Sequence, residues 1–270
     1  MKTTAKPCFA SPFRTFYLLL AGGFLLSALT ACGKADSTSQ PNTLTNEEVR
    51  EGWELVFDGQ TLQGWRGLNR EDVPAENWMV ENGMLKKVSR DSIATGPDGE
   101  RPRGGDLLLD RTVHNFEFAF EWVVSPVANS GVKYNVSEEF TAANGSRHSA
   151  LGFEYQVLDD PEYPDIAENK SWATAGLYEL VDPGPNARLN PVGEWNTGRI
   201  VFDGNHGEHW LNGELVLTYE LDTAEMDSAF AGSKWSHIDG FISKHENAYI
   251  TLQDHGNSVW YRNLKLKELP

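Results

Sequence analysis

The chain contains very little cysteine, with two in 270 residues. Both of them, Cys8 and Cys32, lie near the N-terminus, so the rest of the chain has no thiol. This distribution excludes a disulfide framework and a thiolate metal site from the folded part. Stability must therefore come from a hydrophobic core, which a chain of this length can bury.

Positive charge is also scarce, since 23 Lys and Arg residues stand against 39 Asp and Glu residues. The formal net charge is −16, and it becomes −19 if an N-terminal signal carrying Lys2, Lys6 and Arg14 is removed. Such a surface repels nucleic acid and anionic lipid headgroups and suits a neutral ligand. We therefore expect no nucleic-acid partner.

Long apolar runs are missing apart from one, at residues 16–29, which is too short to span a bilayer as a mature helix. The preceding cations and this run are typical of a signal peptide. The run ends in Leu29-Thr30-Ala31-Cys32, which resembles the bacterial lipoprotein processing box. We predict a signal peptide over residues 1–31 and lipidation of Cys32. A cleaved secretory signal with an incidental Cys32 is the alternative.

A polar stretch without aromatic residues follows at residues 33–46, so we predict a flexible tether over residues 32–50. A lipid on Cys32 would attach the protein to a membrane. The residue after Cys32 is Gly33, whereas an inner-membrane retention signal would have Asp at this position. We therefore expect a cell-envelope lipoprotein at the outer membrane, facing the periplasm.

Helical periodicity is scarce in residues 51–270, whereas the two-residue alternation of β-strands recurs throughout. Phe116, Phe118 and Phe120 alternate with Glu117 and Ala119, which predicts a half-buried strand. Further strands are predicted at residues 53–57, 107–109, 132–136, 153–158, 176–180, 195–202, 238–242, 249–253 and 259–267. The pairs Asn82-Gly83 and Asn212-Gly213 predict type I′ hairpins. The pattern indicates an all-β domain over residues 51–270, with two antiparallel sheets packed as a sandwich.

Polar and aromatic residues recur in five clusters along these strands. They are Asn129-Ser130-Gly131, Glu154-Tyr155-Gln156 with Asp159, Glu194-Trp195-Asn196, His209 with Asn212-Gly213, and Gln253-Asp254-His255-Gly256 with Arg262-Asn263. Alternate strand residues pave one face of a sheet. Amide, carboxylate, imidazole, guanidinium and indole groups on one face suit a small polyhydroxylated molecule. We therefore predict a ligand-binding site rather than an ordinary solvent-exposed sheet face.

Glu154 and Gln156 are the most informative pair, because Phe153, Tyr155 and Val157 take the opposite face of their strand. A carboxylate beside an amide can orient a sugar diol or act as a base beside an oxyanion donor. Lys133 could add a cation to the same polar face. The alternative for Glu154 and Gln156 is a solvent-exposed strand face.

Each remaining candidate has a structural alternative. Taken alone, His209 is a structural histidine, Trp195 a core residue and Arg262 a buried ion-pair partner, while His255 lies in a turn motif. The spacing of the His residues gives no metal motif, and no cofactor is firmly predicted. A divalent metal held by loop oxygens, such as Ca²⁺, stays an open alternative.

In this order the motifs resemble the 3-keto-disaccharide hydrolase family over about residues 53–269. The similarity is carried by Trp53-Glu54-Leu55-Val56-Phe57-Asp58-Gly59, Asn129-Ser130-Gly131-Val132-Lys133-Tyr134, Glu154-Tyr155-Gln156-Val157-Leu158-Asp159, Ala175-Gly176-Leu177-Tyr178, Gly193-Glu194-Trp195-Asn196, His209-Trp210-Leu211-Asn212-Gly213, Leu252-Gln253-Asp254-His255-Gly256 and Val259-Trp260-Tyr261-Arg262-Asn263. The resemblance implies a concanavalin A-like jelly roll with a concave sheet that holds a small carbohydrate. A longer insert at residues 226–247 departs from the family pattern.

The resemblance also implies cleavage of glycosides that already carry a ketone at C3. That ketone acidifies the C2 proton, so a base can start elimination of the C1 substituent, with water adding afterwards. We assign Glu154 as the base or as a metal-independent orienting group, Lys133, Arg262 and Gln156 as the enolate donors, and His209 or Glu194 as the acid. The predicted substrate-binding residues are Asn129, Asp159, Tyr178, Trp195, Asn196, His255 and Asn263.

Three other functions fit such a sandwich. A lectin-like carbohydrate-binding module needs stacking aromatics but no perturbed carboxylate. A laminarinase-type glycosidase needs two carboxylates about 5–5.5 Å apart for retention, but Leu158 stands where a second same-face acid would follow Glu154 and Gln156. A structural envelope lipoprotein has no use for so many sugar-type contacts.

Overall fold

The computed structural model describes residues 40–102 and 104–270. The predicted signal peptide, Cys32 and most of the predicted tether lie outside these residues. In the described part of the chain, no helix is long and apolar enough to cross a membrane. The end of the predicted tether, Asn46–Arg50, forms a short helix α1, which the Thr45 side chain caps.

Thirteen strands and two further α-helices make up the described domain. The strands are β1 (Glu54–Leu55), β2 (Trp65–Gly67), β3 (Trp78–Glu81), β4 (Met84–Lys87), β5 (Leu107–Leu109), β6 (Phe116–Val124), β7 (Asn129–Val136), β8 (Phe153–Leu158), β9 (Asn196–Asp203), β10 (His206–Leu211), β11 (Glu214–Glu220), β12 (Tyr249–Leu252) and β13 (Val259–Glu268). The helices are α2 (Glu138–Ala143) and α3 (Ala224–Gly232). Short 3-10 turns occupy Arg90–Ser92, Asp160–Glu162, Pro164–Ala167 and Lys170–Trp172.

The strands form two antiparallel sheets. The eight-stranded sheet has the order β11-β10-β9-β6-β13-β4-β3, with β1 also paired to β13, and the five-stranded sheet has the order β2-β5-β12-β7-β8. Every strand pair is antiparallel. The predicted concanavalin A-like jelly-roll sandwich is confirmed.

The core lies between the two sheets, where strand alternation sends the apolar side chains. Phe118 and Phe120 of β6 and Tyr155 of β8 all belong to this core and are buried. The rings of Phe120 and Tyr155 meet edge to face with centroids 5.2 Å apart. Both predicted Asn-Gly hairpins are present, and Asn82 and Asn212 have positive φ angles of 52° and 51°.

Two predicted strands are wrong. Residues 238–242 form turns, and residues 176–180 form only isolated bridges at Leu177. Ile238 and Phe241 are buried in the core from these turns, which explains the apolar pattern that suggested a strand. Hydrophobic side chains can reach a core from a turn as well as from a sheet.

The segment after β8 turns back and hydrogen-bonds along that strand. The Ala175 N–H donates to the Gln156 carbonyl at 2.9 Å, and the Tyr178 N–H donates to the Glu154 carbonyl at 3.0 Å. The segment therefore extends the polar surface of the five-stranded sheet beyond its last strand. It places Tyr178 directly beside Glu154.

Candidate active site

The outer face of the five-stranded sheet, on the side away from the core, gathers a continuous row of polar side chains. Lys133 of β7 is paired in register with Glu154 of β8 and with Thr251 of β12, and Gly131 is paired with Gln156. Strand alternation therefore brings Lys133, Glu154 and Gln156 together, as predicted. We call this surface the Glu154 face.

Glu154 is a buried carboxyl, with 5% of its surface exposed. Burial raises its pKa to about 7, although the positive charge of Lys133 opposes the shift. When the Gln156 amide is oriented to satisfy its neighbours, its nitrogen donates to Glu154 Oε1 at 3.2 Å. A carboxyl with this pKa can both accept and release a proton near neutral pH.

Gly131 explains how the Glu154 side chain fits on this face. A Cβ at position 131 would lie 2.4 Å from Glu154 Oε1, so any other residue would collide with the carboxylate. The Asn129-Ser130-Gly131 motif therefore has a specific reason to contain glycine at its third position. Ser130 faces the core instead, where its hydroxyl bonds the Gln253 carbonyl and the Tyr261 hydroxyl at 2.8 Å each.

Lys133 is a fixed cation whose three N–H groups are all engaged. Its Nζ donates to Asp106 Oδ2 at 3.0 Å, Ser149 Oγ at 3.0 Å and the Ala150 carbonyl at 3.1 Å. Burial is the largest single influence and disfavours its charge, but the nearby carboxylates of Asp106 and Glu154 together outweigh it and raise the pKa of Lys133. Lys133 therefore supplies positive charge beside Glu154 rather than a free hydrogen-bond donor.

Tyr178 and Lys234 cover the other side of Glu154. Lys234 Nζ donates to Tyr178 Oη at 2.9 Å and lies 4.2 Å from the centre of that ring. Burial and the negative charge of Glu154 raise the pKa of Tyr178 to about 12, so its hydroxyl stays protonated at neutral pH. Burial lowers the pKa of Lys234. Two hydrogen-bond donors thus stand close to a carboxyl that can act as a base.

Several polar atoms on and beside this face are buried without a hydrogen-bond partner in the described part of the chain. They are Asn129 Oδ1, Thr251 Oγ1, Gln253 Oε1 and Asn77 Oδ1. A buried acceptor left unpaired costs about 1–3 kcal/mol, so such groups are usually satisfied by water or ligand.

A cavity of about 1040 Å³ opens next to the Glu154 face. Ser149, the hydrogen-bond partner of Lys133, lines it together with Asp254 and His255. The cavity is larger than one sugar ring requires. It brings His255 close to the predicted site, where a role in substrate binding stays a prediction.

His209 does not reach this site. It is completely buried in the core, where its Nε2 accepts from the Tyr134 hydroxyl at 2.8 Å and its Nδ1 donates to the Ala175 carbonyl at 3.0 Å. Burial lowers its pKa to about 3, so it is neutral and holds this tautomer. The assignment of His209 as the acid is wrong, because both ring nitrogens serve the core.

Arg262 and Asn263 also lie elsewhere, on the outer face of the eight-stranded sheet. Arg262 Nε donates to Glu121 at 2.7 Å, and its guanidinium lies 3.9 Å from the centre of the Trp195 ring. Asn263 Nδ2 donates to the same carboxylate at 2.6 Å, its Oδ1 accepts from the Asn42 N–H, and its backbone N–H donates to Asn42 Oδ1. The prediction that Arg262, Trp195 and Asn263 share a site with Glu154 is wrong.

A β-bulge between Arg262 and Lys265 explains part of this error. Asn263 has a positive φ of 52°, so the alternation of side chains is interrupted there. Arg262 therefore points outward, whereas Leu264 and Leu266 beyond the bulge are in the core. A strict two-residue alternation would have placed all three on one face.

Two other candidates have structural hydrogen bonds, and a third is exposed. Asn196 Oδ1 accepts from the Asn190 N–H at 2.8 Å and from Asn212 Nδ2 at 2.9 Å, which ties a loop to the β10–β11 hairpin. Asp159 Oδ2 accepts from the Val127 N–H at 2.7 Å. Glu194 is exposed in the turn before β9. These contacts account for Asn196 and Asp159 without a ligand.

Sequence reasoning missed Asp106, Lys234 and Gln253. Asp106 precedes β5 and Lys234 follows α3, so neither belongs to an alternating strand pattern. Gln253 belongs to the Gln253-Asp254-His255-Gly256 cluster, but no role was predicted for it. In the described ranges, no group of three or more His, Cys, Asp or Glu side chains is arranged to hold a metal ion.

Comparison with known proteins identifies relatives over nearly the whole domain. Residues 52–267 match the 3-keto-alpha-glucoside-1,2-lyase-like domain family. A 3-keto-disaccharide hydrolase from Bacteroides thetaiotaomicron is 32% identical over 236 residues, which cover 81% of this chain and 79% of that protein. This share of the sequence is large enough to establish common family membership.

Two crystal structures from Parabacteroides distasonis ATCC 8503, both provisionally assigned as glycosyl hydrolases, are also similar. The first is 27% identical, has a TM-score of 0.71, and covers 86% of this chain and 100% of its own. The second is 21% identical with a TM-score of 0.53, covers 76% of this chain and 99% of its own, and shows the fold alone. With the family match over residues 52–267, the chain belongs to the 3-keto-alpha-glucoside-1,2-lyase-like domain family of glycoside-cleaving enzymes.

Proposed function

We propose that this enzyme cleaves the glycosidic bond of 3-keto-glycosides or 3-keto-disaccharides by elimination across C1 and C2, followed by addition of water. The observation that carries the proposal is the Glu154 carboxyl, buried on a polar face with a pKa of about 7. A carboxyl of this pKa is well matched to removing a proton that a neighbouring ketone has acidified. The name of the Bacteroides relative supports the substrate class.

In the first step the Glu154 carboxylate removes the C2 proton, and the C2–H electrons move toward the C3 carbonyl to give an enolate. The negative charge then lies on the C3 oxygen. Tyr178 Oη–H and Lys234 Nζ–H are the donors placed to stabilise it, and the fixed charge of Lys133 lowers its energy further. This assignment replaces Arg262, which lies on the other sheet.

In the second step the enolate electrons form the C1–C2 double bond and the C1–O bond breaks. The leaving oxygen needs a proton, and protonated Glu154 can return the one it has just taken. A separate acid is then unnecessary, which removes the need for His209 or Glu194. Addition of water to C1 and a proton to C2 restores a 3-keto-sugar and completes a net hydrolysis.

The substitution Glu154→Gln tests this function on a 3-keto-glucoside. We expect at least a 100-fold loss of kcat, because the amide cannot act as a base. Glu121→Gln is the matched control, since Glu121 is a partly buried carboxylate on the opposite sheet. Unchanged turnover by Glu154→Gln would remove Glu154 from the reaction.

A non-catalytic carbohydrate-binding protein is the second candidate, and the unpaired buried acceptors favour it as much as they favour an enzyme. The two are separated by the wild-type protein. If it binds 3-keto-trehalose without releasing glucose or a keto-sugar, at any pH between 6 and 9 and with or without a chelator, then the binding function replaces the enzyme.

We also propose that Cys32 is lipidated and holds the protein at the outer membrane, facing the periplasm. The sequence Leu29-Thr30-Ala31-Cys32 and the polar stretch after it support this. Labelling cells with an alkyne fatty acid should mark the wild-type protein and leave Cys32→Ala unmarked. Equal labelling of the two, or recovery of the wild-type protein in the soluble fraction, would contradict the proposal.

A further inference from the structure

We infer that the outer face of the eight-stranded sheet is an interaction surface that lies against the lipid bilayer. The inference rests on the proposed lipidation of Cys32, which supplies the anchor, and it adds which side of the domain the bilayer meets. The Glu154 face lies on the other outer side of the sandwich and therefore points away from the lipid. We call the inferred surface the indole face, after its residues Trp53, Trp195, Trp210 and Trp260.

These four tryptophans are partly buried, and a cation lies over each ring at 3.9–5.7 Å from its centre. The pairs are Trp53 with Lys267, Trp195 with Arg262, Trp210 with Arg199, and Trp260 with Lys86. Indole rings are enriched where water meets lipid, because they combine a large apolar surface with a polar N–H group. The indole face therefore has the composition expected of a surface at a headgroup layer.

Exposed apolar side chains extend two of these indoles along the sheet. Met79 of β3 is 41% exposed, and its row on the outer face continues through Lys86 to Trp260. Leu215 of β11 is 39% exposed and is paired in register with Trp210. Exposed apolar groups that adjoin one another and are surrounded by polar residues mark a surface that meets another body.

The charges beside the indoles are balanced, although the chain as a whole has a formal net charge of −16. Each of the four cations over the rings forms an ion pair with a carboxylate of the same face. The pairs are Lys86 with Glu81, Arg199 with Glu117, Arg262 with Glu121, and Lys267 with Glu117. A balanced face avoids the repulsion from anionic headgroups that the acidic chain as a whole would meet.

The N-terminal segment of the described chain is fixed to the indole face. The Asn42 N–H donates to Asn263 Oδ1 at 2.5 Å, and the Asn263 N–H donates to Asn42 Oδ1 at 2.8 Å. Asn42 Nδ2 also donates to the Gly83 carbonyl at 2.8 Å. Gln40, where the described chain begins, lines a small cleft together with Arg262. The chain therefore enters the domain on this side of the sandwich.

The attachment is close to the lipid along the chain. Gln40 is the eighth residue after Cys32, and eight residues span at most about 26–29 Å even when fully extended. Both sheets and the core between them separate this attachment from the Glu154 face. Of the two outer faces, the indole face is thus the one that the anchor brings to the bilayer.

The experiment compares two dye positions on the lipidated full chain, in vesicles of phosphatidylethanolamine and phosphatidylglycerol that contain a headgroup quencher. The dye is attached to Met79→Cys on the indole face, or to Ala142→Cys at an exposed position of α2 on the side of the five-stranded sheet. Removal of Cys8 with the signal and lipidation of Cys32 leave the introduced thiol as the one that reacts. We expect the lipid to quench the Met79 dye at least about threefold more than the Ala142 dye.

Equal quenching of the two dyes, or stronger quenching at position 142, would overturn the inference. Sedimentation of the protein in detergent tests a second copy of the chain as the occupant of the face. A dimer in which the Met79 dye is shielded would assign the face to that copy and would also overturn the bilayer contact.

Failure of the proposed lipidation has a different result, because the wild-type protein then does not float with the vesicles. In that case the Cys32 thiol is coupled to a maleimide lipid, and brominated lipids are used to quench the intrinsic tryptophan fluorescence. Trp260→Phe should lower the quenched fraction, whereas Trp172→Phe, which removes an indole beside Tyr178, should not. The opposite order, or no quenching of the wild type, would overturn the inference.

Discussion

The outer faces of the two sheets contain similar residue types but differ in how those residues are satisfied. On the eight-stranded sheet, Arg262 is paired with Glu121 and lies over Trp195, and Arg199 is paired with Glu117 and lies 4.1 Å from the centre of the Trp210 ring. Each of these two guanidinium groups has a carboxylate partner, and each of these indole rings has a cation above it.

On the five-stranded sheet, the ion pair of Lys133 and Asp106 is complete, but Glu154 has no salt-bridge partner among the described residues. Buried acceptor atoms also stay unpaired on that face. Judged by residue types alone, the two outer faces would be equally good candidates for a ligand-binding site. The comparison shows that groups left unsatisfied, rather than the mere presence of polar groups, distinguish a ligand-binding surface from a stabilised one.

The largest difference between the faces should appear when a cation is removed. Lys133→Met leaves Asp106 buried without its partner, so we expect the free energy of unfolding to fall by about 3–5 kcal/mol. Arg262→Met removes a partly exposed pair and should cost about 1 kcal/mol or less. Urea unfolding of both variants measures the two values. Equal costs would mean that the burial of the Lys133 pair has no energetic consequence.

The next-largest effect should be a pH dependence of the folding stability, caused by the titration of Glu154. Its folded-state pKa of about 7 lies above the ordinary value of 4.5, so the folded protein binds more protons between these values. Stability from this group is present below pH 4.5 and is lost as pH rises through about 7, by on the order of 3 kcal/mol. Glu154→Gln should abolish this decline, as unfolding at pH 5 and pH 8 would measure.

The same titration should control activity in the opposite sense. Since the base must be ionised, kcat/KM for a 3-keto-glucoside should rise tenfold per pH unit below about 7 and level off above it. Glu121→Gln should keep this profile. An acid limb centred near pH 4.5 in the wild type would contradict the buried, raised carboxyl.

Gly131→Ala should move the carboxylate without removing it. The new methyl group would stand 2.4 Å from Glu154 Oε1, so the side chain must shift. A displacement of about 1 Å at the reacting group can cost on the order of 100-fold in rate, and we expect a 10- to 100-fold fall in kcat. Gly232→Ala is the control, because its Cβ would meet no atom within 4 Å. Equal rates for both variants would show that Glu154 tolerates displacement.

The smallest effect should come from the indole on the other sheet. Trp195→Ala removes a cation–π contact and some packing, at an expected cost of about 1 kcal/mol in unfolding free energy. Turnover should stay at the wild-type level, because the residue lies on the opposite outer face. A loss of more than tenfold in kcat/KM would show that this face takes part in the reaction.

The sequence allowed the prediction of the sandwich and of the Lys133, Glu154 and Gln156 row, because strand alternation is a local property. It could not show which sheet a strand joins, and this is why Arg262 was grouped with Glu154. It also could not show that two core hydrogen bonds satisfy His209. Asp106 and Lys234 come from connecting segments, and their positions depend on the tertiary fold rather than on a pattern.

The fully engaged ammonium of Lys133 has a chemical consequence for an enzyme that handles ketones. With three acceptors around Nζ and a raised pKa, this nitrogen has no lone pair to offer a carbonyl carbon. A keto-sugar can therefore lie against it without being captured as an imine. Borohydride added during turnover should reduce the sugar and leave Lys133 unmodified.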